Sequence, residues 1–96
     1  MSAGDWKELY RSATEGNLEL VRYHIASGVD PNYQHPEILS TPLVAAILNN
    51  HTEIAIFLLE NGADAGLESS LDALKPLGAA KKMKNQKLIG IIIKRL

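Results

Sequence analysis

The sequence predicts an all-α fold: three helix–turn–helix units stacked side by side, with the two outer units serving as N- and C-terminal caps. Three observations carry this reading. The chain repeats itself at an offset of 34 residues, the apolar residues inside each copy recur at helical spacing, and glycine, asparagine and proline punctuate the copies at matching places.

Setting residues 7–30 over 41–64 and 75–96 brings Leu9 onto Leu43 and Leu77, Ser12 onto Ala46 and Ala80, and Leu20 onto Ile54 and Leu88. Val21, Ala55 and Ile89 coincide, as do His24, Leu58 and Ile92, and then Ile25, Leu59 and Ile93. Gly28 falls on Gly62, and Asp30 on Asp64. A lone helix pair cannot bury its apolar face, so these positions become core only when the units stack.

Each element follows from local chemistry. In the first unit, Asp5 and Glu8 have capping-box spacing, which starts the first helix about two residues earlier than in the other units. Gly16 ends that helix, and Gly28 ends the next. In the middle unit Thr41 can accept a hydrogen bond from an orphan N–H, and Pro42 at the first helical position forfeits no bond. Its first helix runs through Leu43, Ala46 and Ile47, with alanine where two helices must approach closely. Asn50 tolerates the left-handed conformation of a helix end. The second helix sets Ile54, Ala55, Leu58 and Leu59 on one stripe before Gly62 stops it. In the third unit Lys81 stands where Ala13 and Ile47 stand earlier, and Lys84 takes the turn position. Lysines there suit solvent, so residues 75–96 read as a C-terminal cap. Trp6, just ahead of the first helix, is expected to cover the open N-terminal end of the core.

The pattern resembles the ankyrin repeat. The middle unit carries the resemblance in Thr41-Pro42-Leu43, Ala46, His51, Glu53-Ile54, Leu58-Leu59 and Gly62-Ala63-Asp64. The first unit adds Ala13, Gly16, Glu19-Leu20-Val21 and Gly28-Val29-Asp30, and the third adds Pro76-Leu77, Ala80, Leu88 and Ile92-Ile93. It spans residues 5–96 as one domain (1–96), with repeats at about 5–37, 38–71 and 72–96. Val44 stands where the family usually has a histidine that ties neighbouring loops, so that tie is absent here. The first interrepeat segment is one residue longer than the family norm and holds Pro31 and Pro36, which predicts an irregular hairpin. The second, Ala65 to Leu74, has no glycine near its tip and is expected to form a helical turn.

Composition bounds the function. The 96 residues contain no cysteine, which excludes disulfides, thiolate zinc sites and cysteine nucleophiles and leans towards a reducing, cytoplasmic setting. Residues 1–7 lack the apolar run of a signal peptide, and Leu88 to Ile93 is far short of the roughly 20 residues that span a bilayer, so no membrane attachment is expected. No catalytic motif is present, and the chain is not expected to be an enzyme. Nor is a metal or organic cofactor expected. His24 occupies a core position and should be a hydrogen-bonded structural histidine; His51 matches the family residue that satisfies backbone groups; His35 lies in a loop. The net charge of −1 is divided sharply: residues 1–74 carry −8 and residues 75–96 carry +7. The basic third unit could touch phosphate, but no aromatic is interleaved with its lysines, and the acidic remainder repels a polyanion. Nucleic-acid binding is therefore the weakest alternative.

The resemblance implies a module that binds another protein through a concave face of loop tips and first helices. On the matching positions that face holds Thr14 and Glu15, Leu48 and Asn49, and Lys82 and Met83. Residues ahead of each first helix join it: Trp6; Tyr33, His35, Glu37, Ile38 and Leu39 in the long first loop; and Asp72 and Leu74 in the second. A small dedicated inhibitor of a partner enzyme, of the immunity or antitoxin type, is the alternative within this class. A monomer with weak head-to-tail association between its oppositely charged ends is the expected state.

Overall fold

Local signals and stacking agree on six helices in the computed structural model, which describes residues 5–96. They are α1 (Trp6–Glu15), α2 (Leu18–Ala26), α3 (Pro42–Leu48), α4 (Thr52–Glu60), α5 (Pro76–Lys82) and α6 (Gln86–Arg95). The helices alternate between two layers. First helices α1, α3 and α5 pack side by side, second helices α2, α4 and α6 form the other layer, and each pair closes on itself. Among the described residues the one extended pairing is an isolated bridge between Ser69 and Leu74.

The helix starts show which caps are real. Thr41 Oγ1 accepts from Val44 N at 3.2 Å, with Pro42 as the first helical residue. Asn17 and Asn85, 68 residues apart in the chain, cap α2 and α6 by accepting from Leu20 N and Leu88 N. α1 begins early, as its sequence predicts, but Asp5 makes no side-chain capping bond. Its backbone (φ −95°, ψ 4°) is not extended as at Thr41, so the carboxylate is not aimed back at the helix amides. Trp6 is the first residue of α1 itself, not a residue ahead of it.

Each first helix ends on a left-handed residue at the same register. These are Gly16 (φ 84°), Asn50 (φ 66°) and Lys84 (φ 55°). Glycine adopts this conformation freely and asparagine tolerates it; the lysine is strained there. Leu39 (φ 58°) and Ala73 (φ 54°) form a second matched pair, two residues before Thr41 and Lys75, where glycine would be relaxed.

The core runs unbroken through the stack. Leu9, Ala13, Val21, Leu43, Ala46, Ile47, Ile54, Leu58, Leu59, Ala80, Leu88 and Ile92 belong to one buried cluster. Two positions read as core by register are not. Leu20 is 43% exposed although its counterpart Ile54 is 2% exposed, and Ile93 is 54% exposed against 3% at Leu59. The reason is position in the stack: among the described residues no unit packs outside Leu20 or outside Ile93.

The loops are tied together by amide side chains in place of the missing histidine; Val44 is fully buried. Asn32 Nδ2 donates to Gly62 O (2.9 Å) while its Oδ1 accepts from Asp64 N (2.8 Å). Gln34 repeats the arrangement one step along, with Nε2 donating to Glu68 O (3.0 Å) and Oε1 accepting from Ser70 N (3.3 Å). Asparagine and glutamine suit this because each offers a donor and an acceptor to a neighbouring backbone. The first interrepeat segment is a series of turns without a bridge, as its two prolines predict. The second is not a helical turn: Ser69 and Leu74 exchange backbone hydrogen bonds at 2.8 and 3.4 Å, closing a tight hairpin around Ser70–Ala73. Ala73 supplies the left-handed residue that a glycine was expected to supply.

His24 is buried as its register requires, but its Nδ1 has no hydrogen-bond partner among the described residues. The expectation of a hydrogen-bonded structural histidine fails at that atom. An orphaned buried polar atom costs about 1–3 kcal/mol. His24→Leu, which restores the residue type of Leu58 and Ile92, should therefore raise unfolding free energy by about 1–2 kcal/mol in urea titration.

Candidate functional site

The N-terminal end of α1 and the long loop build an aromatic cluster. The Trp6 and His35 rings stack at 4.4 Å between centroids with planes 15° apart, and Tyr33 lies 5.9 Å from Trp6. Such ring pairs contribute about 0.5–1.5 kcal/mol beyond burial. His35 is held by its backbone neighbour, with Nδ1 accepting from Glu37 N at 3.1 Å. Trp6 thus clamps the loop and does not cover the open end of the core, as the sequence led one to expect. Trp6, Lys7, His35, Glu37 and Ile38 line a small hollow of about 180 Å³.

The patch continues along the loop tips. Leu71 N donates to Leu39 O at 2.7 Å, which places two exposed leucines next to each other. Ile38 is half-buried while Leu39 is exposed, so only the first of the pair folds under the loop. Beneath them Ser69 Oγ donates to Asp72 Oδ2 at 2.8 Å, and Ser40 Oγ lies 3.1 Å from Ser69 Oγ and 3.4 Å from that carboxylate oxygen. Asp72 is therefore spent on bracing the loop, and Leu74 packs against the core.

The remaining residues named from sequence sit one helix length away, at the C-terminal ends of α1, α3 and α5. Thr14 Oγ1 donates to Tyr10 O (2.8 Å) and Asn49 Nδ2 to Ala45 O (2.8 Å), each within its own helix. Glu15 pairs with Arg11 at 3.1 Å and turns towards α2, where it lines a hollow with Leu20. Leu48 and Met83 are half-buried and packed on the core, so their apolar character has a structural use. Lys82 is exposed. Sequence reasoning gave little weight to Leu71, whose exposure depends on a hairpin the missing glycine seemed to forbid.

His51 does what its register implies: Nε2 donates to Thr14 O at 3.0 Å, linking the middle unit to the first. Asn85 makes the corresponding link onward, donating to Thr52 Oγ1 at 2.9 Å. His24 (α2), His35 (loop) and His51 (α3–α4 turn) lie apart, and no three acidic or histidine side chains among the described residues are placed to hold a metal ion. A hollow of about 490 Å³ lies between α2 and α4 beside Tyr23 and Phe57, where Arg22 stands 5.4 Å over the Phe57 ring. It gathers no catalytic constellation. No helix among the described residues is long and apolar enough to cross a membrane.

Stacked helix pairs joined by loops define a repeat protein of the interaction type. A family model for ankyrin repeats, in three copies, matches residues 9–95, and the chain belongs to the ankyrin-repeat family. Ankyrin repeats are generally protein-interaction modules. The chain is also similar to the palmitoyltransferase AKR1 of Lachancea kluyveri, at 39% identity over 56 residues. That match takes in 58% of this chain and 8% of the yeast protein. The chain thus spans only a small part of that protein's length, and the likeness is one of repeats.

Proposed function

We propose that this protein binds a partner protein through the loop-tip face built by Trp6, Tyr33, His35, Ile38, Leu39 and Leu71. The observation that carries the reading is the contiguity of these groups, all but Trp6 on loop segments that stacking does not require. Two exposed leucines side by side, next to a stacked aromatic pair, are the makings of an interface. The charge around them indicates the partner's character. Residues 23–74 contain seven acids and no lysine or arginine, so a surface combining basic and apolar groups is the natural complement. An adaptor and a dedicated inhibitor of a basic enzyme would both use such a face, in a cytoplasmic setting.

Capture of partners on the purified chain, followed by titration of the captured protein, tests this. Leu71→Asp should lower affinity at least tenfold with the melting temperature unchanged, since the side chain is exposed. Tyr33→Ala should act in the same direction with a stability cost of about 0.5–1.5 kcal/mol from its lost ring contact. Glu60→Lys, on the exposed side of α4, should change neither. Unaltered binding in both loop variants, together with loss on reversing Lys87 and Lys94, would move the site to the basic third unit.

A further inference from the structure

The two ends of the described stack are opposite in charge, and each exposes an apolar residue that is buried inside the stack. At the first end, Leu20 is exposed where Ile54 and Leu88 are buried by the unit before them. It borders a hollow of about 200 Å³ between α1 and α2 that is also lined by Glu8, Arg11, Ser12 and Glu15. Arg11 is neutralised locally: its hydrogen bond to Glu15, then the charges of Glu15 and Glu8, raise its pKa above the ordinary value. The face is left with an acidic excess around an apolar rim. At the other end, Ile93 is exposed where Leu59 is covered by the next unit, and Leu96 is exposed beside it. Lys81 stands on the same side, since its counterparts Ala13 and Ile47 are wholly buried by the following unit. This end belongs to a segment with seven bases and no acid.

We propose that the protein self-associates head to tail, the Leu20 end of one copy stacking on the Ile93 end of another. The occupant is a second copy because the chain carries both halves of one contact. Leu20 would gain the cover that Ile54 and Leu88 have, and Ile93 the cover that Leu59 has. The joint would continue the register used within the chain, with Lys81 directed at an α1 face bearing Glu8 and Glu15. The contact is heterologous, so it can repeat along a row of copies. Lys81 in place of an apolar residue keeps the association weaker than the stacking inside the chain, because its ammonium must be paired when it is covered.

Sedimentation velocity of the full chain, from about 10 µM to about 1 mM, tests the proposal. The wild-type mass should rise with concentration. Leu20→Asp alone and Ile93→Asp alone should both remain monomeric, each having lost one half of every contact. An equimolar mixture of the two should form a 1:1 dimer and stop there, since one intact end of each kind remains. Circular dichroism confirms that both variants are folded. If either is not, Glu15→Lys and Lys81→Glu, both at exposed positions, take the same roles, each weakening association at least tenfold alone and recovering when mixed. A wild-type protein that stays monomeric throughout, a Leu20→Asp variant that still dimerises, or a mixture that does not associate would overturn the proposal.

Discussion

Truncation of Leu58 to alanine is expected to lower the unfolding free energy by about 2–5 kcal/mol. Leu58 is wholly buried in the middle unit, in the cluster that includes Val21, Leu43, Ile54, Leu88 and Ile92. Its helix packs against both α2 and α6, so neighbours on either side are themselves held and cannot collapse into the space. Domains of this size have about 5–15 kcal/mol in total, and the loss removes a large share of it. The midpoint of a urea transition should fall accordingly. The same substitution made at Ile93, exposed at the end of α6, should cost well under half as much, because less surface returns to water. A loss below about 1 kcal/mol at Leu58 would mean that the middle unit is not the centre of the stack.

Gly16→Ala should cost about 2–3 kcal/mol, far more than adding a methyl group at a helix end ordinarily does. Two effects combine. The residue sits at φ 84°, where any L side chain is strained by about 1–2 kcal/mol. A Cβ there would also lie 2.5 Å from Cε1 of His51 and 2.8 Å from its Nδ1, so the imidazole must move. Moving it breaks the Nε2 hydrogen bond to Thr14 O, the link between the first and middle units, worth about 0.5–1.5 kcal/mol. The double variant Gly16→Ala with His51→Ala separates the parts. It should show less than the sum of the single losses, since the clash needs both residues. Gly62→Ala is the matched comparison: it has a positive φ (102°) with nothing near the added Cβ, so it should show the backbone cost alone. Equal losses at Gly16 and Gly62 would show that the contact with His51 is unimportant.

The sequence by itself determined the number of helices, their order and most of the core. A period of 34 residues with helical spacing inside it has one economical solution, stacked helix pairs, because no single pair can hide its own apolar stripe. Thr41-Pro42, Gly16, Asn50 and Gly62 marked helix ends because caps and left-handed turns depend on local backbone chemistry, which a sequence states directly. The His51 link was legible for the same reason, its register being fixed by the repeat.

Only the tertiary structure decided what depends on neighbours. Register made Leu20 and Ile93 look like core, but burial requires a unit on the far side, and the described residues provide none at either end. Leu48 and Met83, apolar at positions where polar groups would suit solvent, are half-buried against the core, and Glu15 borders a hollow with Leu20. The loop-tip patch joins residues 32 positions apart through the Leu71–Leu39 hydrogen bond, a distance across which sequence carries no spacing signal. His35 became a stacked partner of Trp6 because the long loop folds back over α1. In each case the chain fixed the residue and its local conformation, and the packing of one unit on another fixed which of its faces meets water.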